Sequence, residues 1–184
     1  MKSAVLVIDV QRGLFDPEPF EANQVVERIN TVTQNSKISG CPVFFIQHET
    51  ENEPLEYGSE NWQLHQGLVV NDEDIKIRKT TPDSFLRTNL EEMLNSNKIK
   101  NLIICGYASE FCVDTTVRRA AALGFTVFLV SDAHTTHDKE HTSAAKIREH
   151  HNCTLPNISS FGPKISAVTS NSIDFGGSSQ GCGD

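Results

Sequence analysis

Apolar residues in this chain alternate between two patterns. "SAVLVIDV" (3–10), "PVFFIQH" (42–48), "KNLIICGY" (100–107) and "TVFLVSDA" (126–133) are short, β-branched and nearly continuous. That is the pattern of strands covered on both faces. Between them, apolar positions recur at helical spacing. Over 20–37 these are Val25, Val26, Ile29, Val32 and Thr33, with Gly40 placed to end the helix. Over 83–97 they are Phe85, Leu86, Leu90, Met93 and Leu94. Further helices are predicted over 111–123, stopped by Gly124, and over 139–152. "DIKIRKT" (74–80) alternates and reads as a short strand; "TLPNISSFGP" (154–163) reads as a weaker, last one. The polar stretch 49–68 lacks periodicity and is predicted to be a loop.

Strands alternating with helices predict an α/β fold: three layers, α/β/α, with a Rossmann-like, mostly parallel sheet of about six strands and helices on both faces. Ligand sites in such sheets form beyond the carboxyl ends of the strands. Asp9, Lys79 and the turn before Cys112 all fall at such ends, so three remote segments are expected to converge on one cleft.

Length and charge narrow the picture. The 184 residues fit one domain, expected over 1–170, followed by a Gly/Ser-rich flexible tail, 171–184. A formal net charge of −8 argues against nucleic acid and anionic membranes as main partners. The N-terminal apolar run is short and interrupted by Asp9, so it reads as a strand rather than a signal peptide. No run approaches transmembrane length. The five cysteines (41, 105, 112, 153, 182) are odd in number and lack CxxC pairing, which points to free thiols and a cytoplasmic location.

The stretch "GYASEFCV" (106–113) carries the candidate chemistry. Cys112 is expected in the first turn of a helix, where unsatisfied N–H groups and the helix dipole lower a thiol pKa and can cradle an oxyanion. The alternative is a small buried hydrophobe. Asp9, a carboxylate ending an apolar strand, needs a partner or a function; capping the following turn is the competing reading. Lys79 on its own could equally be a solvated strand end. His134, His137 and His141 cluster after a strand, without HExxH or CxxC, and read as a polar surface loop rather than a metal site.

Taken together, "VLVIDVQRGLF" (5–15), the lysine of "IRKTTPDSF" (77–85) and "GYASEFCV" resemble the isochorismatase-like cysteine hydrolases, the group that includes nicotinamidases, carbamoylsarcosine amidase and streptothricin hydrolase. The resemblance spans roughly 3–165 in the order and spacing of its elements. It implies an Asp-Lys-Cys triad, with Asp9 as base, Lys79 as the cation holding the charges and Cys112 as nucleophile. It also implies a non-proline cis peptide at Tyr107–Ala108 and an oxyanion hole from the N–H groups of Ala108 and Cys112. Ser109 and Glu110 stand where the family commonly has Thr and an acid. "IQHETENE" keeps His48 but lacks the Asp-x-His of metal-dependent nicotinamidases, so neither metal nor other cofactor is expected. Isochorismatases proper lack the nucleophilic cysteine; its presence here implies a C–N substrate, an amide or lactam. Phe15, Trp62 and Tyr107 are candidate apolar walls for a small molecule. Dimers or tetramers are implied as well. Two other readings stay open: a non-catalytic binding member of the fold, and a redox-responsive protein using Cys105 and Cys112.

Overall fold

The computed structural model describes residues 2–175. Its strands are β1 (Lys2–Ile8), β2 (Val43–His48), β3 (Ile75–Lys79), β4 (Ile99–Tyr107), β5 (Thr126–Thr135) and β6 (Ile165–Val168). Its α-helices are α1 (Ala22–Ile38), α2 (Leu90–Ser96), α3 (Asp114–Ala122) and α4 (Ala144–Thr154). All strand pairs are parallel, in the order β3-β2-β1-β4-β5-β6. This is the expected α/β sheet. Its winding reverses between β1 and β4, which leaves a crevice at their carboxyl ends.

Alternation along the central strands builds two cores. Leu6, Ile8, Ile104 and Leu102 face one side and pack with Leu90, Leu94, Val117 and Ala121 of α2 and α3. Val5, Val7, Ile103 and Cys105 face the other and pack with Val25, Val26, Ile29 and Val32 of α1. Burying a side chain of this size contributes about 1.5–3 kcal/mol, so the continuous apolar runs fix the central strands.

The elements differ from the sequence reading where local polar chemistry intervenes. The helix expected over 83–97 begins only at Leu90. Upstream, Asp83 accepts from the Phe85 amide and Thr88 donates to the Ser84 carbonyl, so short side chains satisfy the backbone in turns. Helix 139–152 starts late, at Ala144, where Ser143 caps it by accepting from the Lys146 amide. The last strand is not in 154–163, where Leu155–Asn157 form a 3-10 turn containing Pro156. It lies at Ile165–Val168, whose Ile165 is buried beside Val127. Within the expected tail, Ile173 and Phe175 pack against the α1-side core; residues 176–184 lie outside the described residues.

Candidate active site

β1 ends at Ile8, and Asp9 follows in left-handed backbone (φ 50°), an uncommon conformation for a side-chain-bearing residue. Its amide still donates to Ile46 of β2, so the turn is anchored while the carboxylate swings over the sheet edge. β4 approaches from the other side. Gly106 has φ 120°, and a Cβ there would lie 2.1 Å from the Ile8 carbonyl oxygen. Only glycine lets β4 close on β1 at this point. The small residue before the cysteine thus brings the nucleophile turn against the residue preceding Asp9.

The Tyr107–Ala108 peptide is cis. After it the chain makes a π-helical turn, Ser109–Val113, before α3 begins at Asp114. The Ala108 carbonyl accepts from both Phe111 and Val113 amides at 3.1 Å, and Cys112 lies between them in the chain. The cysteine is therefore in a widened turn ahead of α3 rather than in a regular first helical turn.

Asp9, Lys79 and Cys112 come together. Lys79 Nζ donates to Asp9 Oδ2 at 2.7 Å, to Cys112 Sγ at 3.3 Å and to the Thr81 carbonyl at 3.1 Å. The lysine and aspartate side chains are 0% and 1% exposed. Asp9 Oδ1 is buried without a hydrogen-bond partner, a costly state for a carboxylate oxygen. Burial works against the Lys79 charge, but Asp9 and then Cys112 outweigh it and lift the ammonium above its ordinary pKa. The thiol goes the other way from the sequence expectation. Burial, followed by the negative charge of Asp9, pushes Cys112 up to about 12, and Lys79 offsets only part of this. At neutral pH the resting sulfur carries its proton.

His48 at the end of β2 adjoins Lys79 (Nδ1 to Nζ, 3.4 Å), and burial plus the lysine charge lower its pKa, keeping the ring neutral. Among the described residues no group of three or more His, Cys, Asp or Glu is arranged to hold a metal ion. Nor is any helix among them long and apolar enough to cross a membrane. Of the proposed walls, Phe15 is buried with its ring 5.9 Å from that of Tyr107. Trp62 instead packs edge-on against Tyr57, 4.8 Å away, and its carbonyl accepts from the Gln11 and Gln47 side chains. Cys105 is buried in the α1-side core with Sγ toward the Leu6 carbonyl, while Cys112 packs on the opposite core. Cys105 and Cys112, the pair of the redox reading, therefore do not face one another.

Sequence reasoning missed the role of His134. It is not in a surface loop: β5 extends through Thr135 and His134 is fully buried. Its ring joins Ser109 of the nucleophile turn to Asn152 of α4. The close apposition of "HTT" to "YAS" depends on the β4–β5 register, in which Gly106 pairs His134 and Tyr107 pairs Thr135, and no local pattern encodes that.

Comparison with known proteins places the fold in a family. A family model of the isochorismatase domain matches residues 3–159. The isochorismatase family protein YrdC of Bacillus subtilis is 35% identical over 137 residues, covering 72% of this chain and 73% of that protein. Streptothricin hydrolase of Streptomyces noursei is 31% identical over 138 residues, covering 73% of this chain and 50% of that protein. A crystal structure of an isochorismatase family protein superimposes with a TM-score of 0.83 at 32% identity, covering 91% of this chain and 98% of the other. The chain belongs to the isochorismatase family of hydrolases.

Proposed function

We propose that this protein is a cysteine hydrolase that cleaves the C–N bond of a small amide or lactam through a thioester on Cys112. One observation carries the reading: a single buried ammonium, Lys79 Nζ, touches both the Asp9 carboxylate and the Cys112 sulfur, while Asp9 Oδ1 remains unpaired. A buried aspartate with one free oxygen beside a protonated thiol is a base awaiting a proton. The similarity to streptothricin hydrolase supports a C–N substrate.

In this mechanism Asp9 takes the thiol proton as the sulfur attacks the substrate carbonyl. Lys79 holds the carboxyl and sulfur at fixed distance and stabilises the negative charge they share. The tetrahedral oxyanion receives N–H bonds from Ala108 and Cys112. Collapse breaks the C–N bond, and Asp9 passes its proton to the departing nitrogen. Asp9 then deprotonates a water that attacks the thioester; the C–S bond breaks and the sulfur regains its proton as the acid leaves. The buried Phe15 and the Tyr107 ring form an apolar wall beside the reacting carbonyl. A cytoplasmic dimer or tetramer is the proposed setting, with sedimentation measuring the oligomer.

The test is a panel of primary amides and lactams scored for amine release, with intact-mass detection of an acyl group on Cys112. Release by the wild type and none by Cys112→Ala is the expected result. Equal release by both proteins would refute the assignment.

A further inference from the structure

The last residues of β5 and those just after it, His134 to His137, reach three members of the nucleophile turn. His134 Nδ1 lies 2.8 Å from Ser109 Oγ, Thr136 Oγ1 donates to Glu110 Oε1 at 2.9 Å, and His137 Nδ1 lies 2.8 Å from the Tyr107 hydroxyl. His137 Nε2 lies 2.7 Å from the Pro17 carbonyl at the half-buried rim, whereas His134 is fully buried and its protons are placed by protein groups alone. Asn152 Nδ2 donates to the Ser131 carbonyl at 2.8 Å, which leaves its Oδ1 facing His134 Nε2 at 2.9 Å. A carbonyl oxygen only accepts, so Nε2 carries the ring proton. In the neutral ring Nδ1 then holds a lone pair, and the Ser109 hydroxyl must donate to it. Every bond in the chain Ser109–His134–Asn152–Ser131 thus points the same way. Ser109 and His134 are both fully buried, so water cannot substitute for a lost partner.

We propose that His134 is a positioning residue of this site: its tautomer, fixed by Asn152, holds the Ser109 hydroxyl and so sets the turn that presents Cys112. This rests on the hydrolase reading for its catalytic consequence, but the holding of the turn stands apart from it. Burial keeps the ring neutral, lowering its pKa to about 4. The charged and titratable groups around it are Arg148 and His151 of α4 and Asp132 of β5. A proton on Nδ1 would turn that acceptor into a donor, so the Ser109 hydroxyl would have to rotate and accept, which reverses the bond and puts a charge against the buried turn.

The test uses p-nitrophenyl acetate as acyl probe. The Cys112 sulfur attacks its carbonyl, the C–O bond breaks, p-nitrophenolate leaves in a burst and an acetyl group remains on the sulfur, with Asp9 holding the thiol proton. Hydrogen exchange of the Phe111 and Val113 amides, both bonded to the Ala108 carbonyl, reads the turn without any activity. His134→Leu is expected to slow the burst by about 10–100-fold, as a small misplacement of a nucleophile does, and to speed that exchange. His134→Gln, which offers an acceptor to Ser109 and a donor to Asn152, should restore most of both. Asn152→Asp places a carboxylate against Nε2 and favours the imidazolium. Its burst should be slow at low pH and recover through a new ionisation absent from the wild type, a change that mere loosening would not produce. A folded His134→Leu with wild-type burst and exchange, or a folded Asn152→Asp with no new pH limb and unchanged exchange, overturns the proposal. If His134→Leu fails to fold, the contrast between His134→Gln and Asn152→Asp decides it. A wild type that gives no burst refutes the hydrolase reading instead, and exchange in the folded variants still decides whether His134 holds the turn.

Discussion

Strand β3 carries one member of a lysine–aspartate pair at each end, and the two pairs differ in everything but length. Before the strand, Lys37 of α1 meets Asp74 at 2.6 Å; at its close, Lys79 meets Asp9 at 2.7 Å. The Lys37 and Asp74 side chains are 22% and 4% exposed, and the Asp74 oxygen that Lys37 binds also accepts from the Asn71 amide. That pair ties α1 to the loop entering β3, and each charge has a hydrogen-bond partner. The other pair is sealed from water, leaves Asp9 Oδ1 unpartnered and keeps a thiol against the ammonium. Distance therefore does not distinguish a structural ion pair from a reactive one. What distinguishes them is the hydrogen bonding left undone. A buried pair repays its desolvation poorly, and the proposed role of Asp9 as a base would account for that cost.

The strongest way to break this contrast is by activity. Asp9→Asn should lower hydrolysis by roughly 10²–10⁴-fold, the span of a lost general base. Lys37→Met should leave the rate within about two-fold, since this pair lies at the opposite end of β3 from Lys79 and Cys112. Comparable losses in steady-state amine release would erase the distinction. Stability sharpens it next. Lys79→Met strands a buried carboxylate and should cost about 3–5 kcal/mol in urea denaturation. Lys37→Met leaves the nearly buried Asp74 carboxylate its Asn71 bond and should cost less, about 2 kcal/mol.

A further expected effect concerns acid. Burial lowers the His134 pKa from its ordinary 6.5 to about 4 in the folded chain. A depressed value means that the unfolded chain binds the proton first. The contribution of His134 is therefore complete above pH 6.5 and disappears as the pH falls to 4, by on the order of 3 kcal/mol. His134→Gln should flatten that part of the stability profile, whereas Lys37→Met should leave its slope unchanged.

Much of this architecture was legible in the chain because burial on both faces writes itself as continuous apolar runs. β1, β2 and β4 could be read that way, and Asp9 stood out by ending an apolar strand, whereas Lys79 was singled out only by the family resemblance. Short-range polar bonds were harder. The Asp83 and Thr88 side chains shortened a helix whose apolar spacing was sound, because turns competed successfully for the same backbone groups. The elevated thiol pKa of Cys112 was also illegible. A helix N-terminus argues for a thiolate, but the depth of burial and the nearness of Asp9 are properties of the folded sheet and outweigh it. The buried imidazole at 134 was misread for the same reason: a histidine among polar residues looks solvated until the strand is known to continue past it.

The close approach of Gly106 to the Ile8 backbone has a practical consequence for anyone retargeting this scaffold. It lets the backbones of β1 and β4 meet without any side chain between them, so main chain sets the approach of the two strands while the Lys79 side chain spans the gap between Asp9 and Cys112. Libraries built on the insertion between β2 and β3 should spare Asn61, Trp62 and Gln63, whose carbonyls bind residues 11–13, and every variant should keep glycine at 106, where a methyl group would meet the Ile8 backbone.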